Sequence, residues 1–65
     1  MIVKGIISKI NIMNNSAEII LPEFDNVTTA EIPFYNRSAS NSYVGEFVVL
    51  ALFNGGNDLS NGVIL

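Results

Sequence analysis

Short runs of apolar residues alternate with a period of two along most of this chain, and asparagine, glycine and proline separate the runs. Such alternation puts successive side chains on opposite faces of extended backbone, and no stretch repeats with the 3.6-residue period of a helix. The chain is therefore restricted to a single all-β domain, residues 1–65, of five short strands arranged as a small barrel or sandwich without a helix.

The first run, Ile2 to Met13, sets Val3 and Ile7 on one face and Ile6, Ile10 and Ile12 on the other, with Gly5 ahead of the change of phase. Glycine within a strand marks a bulge or bend, so a long, curled strand that serves two sides of the fold is expected. Asn14-Asn15 tolerates the positive φ of a hairpin turn. Ser16 to Leu21 returns with Ala17, Ile19 and Leu21 on one face, and Pro22 ends it. Glu23 to Asn26 is a loop. Val27 to Phe34 forms a third strand, with Ala30, Ile32 and Phe34 alternating against Thr29, Glu31 and Pro33. Asn36 to Ser42 is polar and aperiodic, which predicts a mobile surface loop with nothing to bury. Asn54-Gly55-Gly56-Asn57 and Asn61-Gly62 are turn signals before a last strand ending at Leu65.

Glu46 to Phe53 is apolar on both faces, and a strand of that kind is covered on both sides. One face fills the fold, and the other lies against a loop, a terminus or a neighbouring subunit, the last being the expectation. Aromatics bring the most buried area to a thin core, so Phe47, Val49, Ala51 and Phe53 are expected inside. Val48, Leu50 and Leu52 are then the oligomer interface, completed by Ile20 and Leu65.

Sixty-five residues give only a thin core. Small domains supplement theirs with disulfides, metals or oligomerisation. The chain has no Cys and no His, while 49% of its residues are hydrophobic and 14% charged. Oligomerisation is the supplement left. Three basic residues (Lys4, Lys9, Arg37) against six acidic ones give a net charge of −3, too little positive charge for the phosphate neutralisation that nucleic-acid binding requires. No run approaches the roughly 20 apolar residues of a membrane helix, and no leader pattern opens the chain. A soluble protein with neither a membrane nor a nucleic-acid partner is expected.

No imidazole base is present, and the carboxylate pairs Glu23/Asp25 and Glu31/Glu46 fit solvated turns and strand faces as well as acid–base work. Glu23, Asp25 and Asp58 lack a calcium-loop pattern. No enzyme activity, cofactor or metal is expected. Phe24, Tyr35 and Tyr43 stand at loop edges, where they are candidates for docking a partner or stacking a ligand.

Three stretches carry a family resemblance: Val3-Lys4-Gly5-Ile6-Ile7, then Leu21-Pro22-Glu23-Phe24-Asp25-Asn26-Val27 leading to Glu31-Ile32-Pro33, then Val44-Gly45-Glu46-Phe47 through Phe53, Gly55 and Asp58 to Asn61-Gly62-Val63-Ile64-Leu65. In this order they resemble the OB-fold domain of phage baseplate assembly and spike proteins, relatives of the valine-glycine repeat spikes of type VI secretion. The resemblance implies a five-stranded OB-like barrel and a trimeric, non-enzymatic hub that docks tail or virion structural proteins, assembled in the host cytoplasm. The family's barrel normally continues into a fibrous spike. Here the sequence stops on the fifth strand, which leads us to expect an adaptor without a spike or a trimmed chain. The other reading is an OB-type binding module for oligosaccharide or single-stranded nucleic acid.

Overall fold

The computed structural model describes residues 1–53 and 59–65, which contain six strands and no α-helix. The strands are β1 (Ile2–Asn11), β2 (Ser16–Leu21), β3 (Val27–Thr28), β4 (Ile32–Pro33), β5 (Phe47–Leu52) and β6 (Gly62–Ile64), with 3-10 turns at Pro22–Phe24 and Ala39–Asn41. The turn expected at Asn54 to Asn57, and Asp58, lie outside the described residues.

Strand β1 uses its two halves differently. Ile2 to Ile6 pair with Ala51 to Phe47 of β5, while Ile6 to Asn11 pair with Ile20 to Ser16 of β2, antiparallel in both cases. The β1–β2 register slips between Ile7 and Lys9. An extra residue on one strand bends it, so β1 curls at Ser8, beyond the glycine that the sequence suggested. Gly5 stays in phase with Val3 and Ile7, facing inward. A Cβ there would collide with Ile19 Cγ2 and stand 3.1 Å from Leu50 Cδ1. The missing side chain lets β2 and β5 pack against each other across β1.

The strands form one open antiparallel sheet in the order β3-β2-β1-β5-β6, and β4 also pairs with β2. A parallel bridge joins Phe34 to Ile64, and the Tyr35 N–H donates to the Ile64 carbonyl at 2.8 Å. The third strand expected over Val27 to Phe34 is broken in two. Thr29 lies at the break with its side chain buried; its hydroxyl accepts from the Ile19 N–H at 3.0 Å and donates to the Ala30 carbonyl at 2.7 Å. A side chain thus takes one rung of the ladder, the phase slips, and Ala30 turns outward where the alternation had placed it inside.

The core gathers Val3, Ile7, Ala17, Ile19, Leu21, Ile32, Phe34, Val48, Leu50, Leu52 and Ile64, with Ala39 contributed by the segment after β4. Val48, Leu50 and Leu52 are interior, contrary to the interface role the sequence suggested. Phe47, Val49 and Phe53 are exposed, and Ala51 is half-buried. The two alternating sets hold together as expected, but inside and outside are exchanged. Register is the cause. Lys4 lies directly opposite Val49, and Gly5 opposite Val48, so keeping the Lys4 ammonium in water turns Val49 and its set outward with it.

Candidate assembly surface

The outer sheet face follows from these registers, because residues opposite one another in an antiparallel pair share a face. Ile20, Ile6 and Phe47 form one cross-strand row. Ile2, Ala51 and Val63 form another. Between them runs Lys4 beside Val49, whose carbonyl accepts from the Leu65 N–H at 2.8 Å. Four strands therefore present apolar side chains to solvent with Lys4 as the one charge in the three rows. Phe47 is 79% exposed. Phe47 opens β5, and an aromatic that exposed among other apolar side chains makes this face the candidate interaction surface of the chain.

Two hollows flank Phe47. One, of about 220 Å³, lies between β1 and the 3-10 turn and is lined by Lys4, Gly5, Ile6, Pro22, Glu23 and Phe47. The other, of about 350 Å³, is lined by Lys4, Phe47, Val48 and Val49. Of the residues proposed as an interface from sequence, Ile20 and Leu65 lie on this face, whereas Val48, Leu50 and Leu52 lie beneath it. Phe47, Val49 and Ala51 stand on this face because Val49 lies opposite Lys4, although aromatic content alone points the set inward. The signal that would have found them is Lys4.

The three aromatics proposed for docking stand on separate supports. Phe24, in the first 3-10 turn, is half-buried and packs against the core. Tyr35 and Tyr43 are exposed, at the end of β4 and in the turn before β5. Between them, the segment expected to be mobile is knitted in place. Ala39 is 1% exposed and plugs the core. Asn15, at φ 51°, reaches across from the hairpin: its Oδ1 accepts from the Ala39 N–H at 2.6 Å, its Nδ2 donates to the Arg37 carbonyl at 3.3 Å, and its own carbonyl accepts from the Phe34 N–H at 3.0 Å. Arg37 pairs with Glu46, donates to Ser42 Oγ at 2.8 Å and lies 5.6 Å from the Phe34 ring centroid. Gly45, at φ +93°, holds a left-handed conformation that favours glycine.

The carboxylates named from sequence as a possible acid–base pair go to different partners. Glu31 accepts from Ser16 Oγ at 2.8 Å and from Asn11 Nδ2 at 3.3 Å. These donors, Ser16 foremost, hold its carboxyl below the usual glutamate value. Glu46 is held low chiefly by the Arg37 guanidinium, with the Tyr43 N–H adding a bond at 3.2 Å. Both are spent on structure. Among the described residues no three acidic, Cys or His groups cluster as metal ligands, and no helix is long and apolar enough to cross a membrane. No protein-family model, curated protein or solved structure matches this chain.

Proposed function

We propose that this chain is a structural, non-enzymatic assembly component of a phage tail, baseplate or related virion-like particle, a homo-oligomeric docking barrel whose partners are copies of itself and other tail proteins. The observation that carries the reading is the outer face of β2, β1, β5 and β6, where apolar rows lie open around Lys4. A thin-cored chain gains most of its missing stability by covering such a surface. Of the stretches that carry the family resemblance, Val3 to Ile7, Val44 to Phe53 and Asn61 to Leu65 fall on β1, β5 and β6 of this face, while Leu21 to Val27 and Glu31 to Pro33 lie beside it. The Phe34–Ile64 bridge supports closure of the sheet into an OB-like barrel.

Light scattering tests this directly. A mass of two or more chains at micromolar concentration is expected, and a 7.0 kDa monomer at high micromolar concentration would overturn the reading. Exposed Tyr35 and Tyr43 favour, as a second reading, a binding module that stacks sugars or bases. That module would show itself as single-stranded DNA or oligosaccharide affinity tighter than about 10 μM, for DNA at low salt.

A further inference from the structure

We propose that Asn61 is a site of spontaneous covalent modification, at which the Gly62 amide nitrogen displaces the Asn61 side-chain amide and the resulting isoaspartyl link loosens the seam where β6 joins β5 and β4. The inference stands apart from the assembly reading, and water is its only co-reactant. The Gly62 nitrogen, having lost its proton to base, attacks Asn61 Cγ with its electron pair. The N–Cγ bond forms, the Cγ–Nδ2 bond breaks, and Nδ2 leaves as ammonia after taking up a proton. Water then opens the cyclic imide. Cleavage at Cγ leaves aspartate, and cleavage at the original backbone carbonyl leaves isoaspartate, whose chain runs through the side-chain carbons. Nothing is oxidised or reduced.

The fold places this chemistry at Asn61. The residue is exposed, in the bend that precedes β6, and its carbonyl accepts from the Phe53 N–H at 2.9 Å. Hydrogen-bonded and non-hydrogen-bonded pairs alternate along an antiparallel ladder, so the pair next to Phe53–Asn61, Leu52–Gly62, is not bonded. The Leu52 N–H and carbonyl both go to Met1 instead, and the Gly62 N–H is turned away from β5. Position 62 is also held to glycine, because a Cβ there would collide with the Ala51 carbonyl oxygen and stand 3.0 Å from Leu52 Cδ2. A side chain on the attacking residue would shield its nitrogen. The close packing that excludes one from position 62 therefore sets beside Asn61 the least hindered nucleophile a chain can offer. Gly62 is buried, so its amide meets base when this end rung of β6 frays.

The isoaspartyl link adds one backbone atom between positions 61 and 62. Strand β6 has only three residues, and it carries both the Phe34–Ile64 bridge and the bond from the Tyr35 N–H to the Ile64 carbonyl. An insertion at its start shifts the register on which that whole seam depends.

The test is incubation of the folded protein at mildly alkaline pH, followed by peptide mapping, which separates Asn61 from Asn54, the other asparagine that precedes a glycine. Asn61 should show the mass gain of an amide-to-acid exchange on the order of tenfold faster than Asn26 and Asn41, because Val27 and Ser42 raise the barrier to attack. Its peptide should split into aspartyl and isoaspartyl forms. Asn61→Gln keeps a side-chain amide but closes a larger ring, and should stay unmodified at this position. Asn61→Asp carries the new charge on an ordinary backbone and should melt like fresh wild type, whereas the isoaspartyl fraction should melt lower. Conversion of Asn61 no faster than that of Asn26 and Asn41 would overturn the site. An isoaspartyl fraction that melts with fresh wild type, or an Asn61→Asp variant that melts as low as that fraction, would overturn the loosening of the seam by the added backbone atom.

Discussion

The segment 36–46 and the outer face of β5 invert what their compositions suggest. The segment is polar, serine-rich and aperiodic, yet it buries Ala39, caps its own 3-10 turn through Ser38 and is bound by Asn15 and the Arg37–Glu46 pair. The strand face is apolar and aromatic, yet it stands open to water. In the first region the polar groups find partners within the chain. In the second, apolar surface exceeds what the chain can cover by itself. Which residues are satisfied is therefore decided by register and by single anchoring side chains, and composition is a poor guide to either in a domain whose principal extents are only 28 × 19 × 15 Å.

The sharpest way to break that contrast is to place the same charge on adjacent residues of β5. Leu50 is fully buried and Val49, its neighbour, faces out. Leu50→Asp leaves a carboxylate in the core at a cost of several kcal/mol, comparable with the whole stability of a domain this size, and should unfold the chain. Val49→Asp should leave far-ultraviolet circular dichroism intact and raise the concentration needed for assembly. If Val49→Asp unfolds the chain and Leu50→Asp does not, the two faces have been assigned the wrong way round.

Much of the fold was legible because local backbone chemistry dictates it: period-two alternation gives β2 and β5, and turn residues give the hairpin at Asn14-Asn15, the stop at Pro22 and the start of β6. Three features were not. The split of the third strand depends on a threonine hydroxyl replacing a rung of the ladder, a tertiary event with no local signature. The phase of β5 depends on Lys4 lying opposite Val49, which requires knowing that β1 pairs with β5 and in which register. Gly5 reads locally as a bulge, and only the approach of Ile19 and Leu50 across β1 shows that it is a packing glycine. The candidate surface was half legible. Two faces of one strand were recognised as needing cover, but the choice between them lay in a pairing of residues far apart in the chain, Lys4 with Val49.

A weaker perturbation tests the other region. Asn15 supplies a left-handed turn residue and two side-chain bonds to the segment after β4. Asn15→Ala removes both bonds and leaves the Ala39 N–H without its acceptor, which predicts a loss of about 1–3 kcal/mol in chemical denaturation. Deleting Ser38 to Ser40 removes the Ala39 plug as well and should lower the melting temperature further. A wild-type melt from either variant would show that this segment contributes no packing in solution, and the contrast with the outer face would lose its polar half.

The smallest expected effect separates the two carboxylates that tie this polar region together. Glu31 and Glu46 are both held below the usual value of 4.5 in the folded chain. The unfolded chain therefore binds protons first as pH falls, so the stability they confer is complete above about pH 4.5 and drains away below it as each folded carboxyl is protonated. Between about pH 6 and 8 neither group should change the melting temperature. Glu31→Gln and Glu46→Gln should each flatten the acid limb between about pH 5 and 3. Salt then distinguishes them. Glu46 owes its shift first to the charged Arg37, an attraction that salt at about 1 M screens to a range of about 3 Å, whereas Glu31 is held mainly by the uncharged donors Ser16 and Asn11. High salt should accordingly shrink the difference between wild type and Glu46→Gln and leave most of the difference for Glu31→Gln. Acid limbs that run parallel for wild type and Glu31→Gln at both salt concentrations would mean that the Ser16–Glu31 bond does not persist in solution, and that the start of β4 is tied to β2 by its backbone ladder alone.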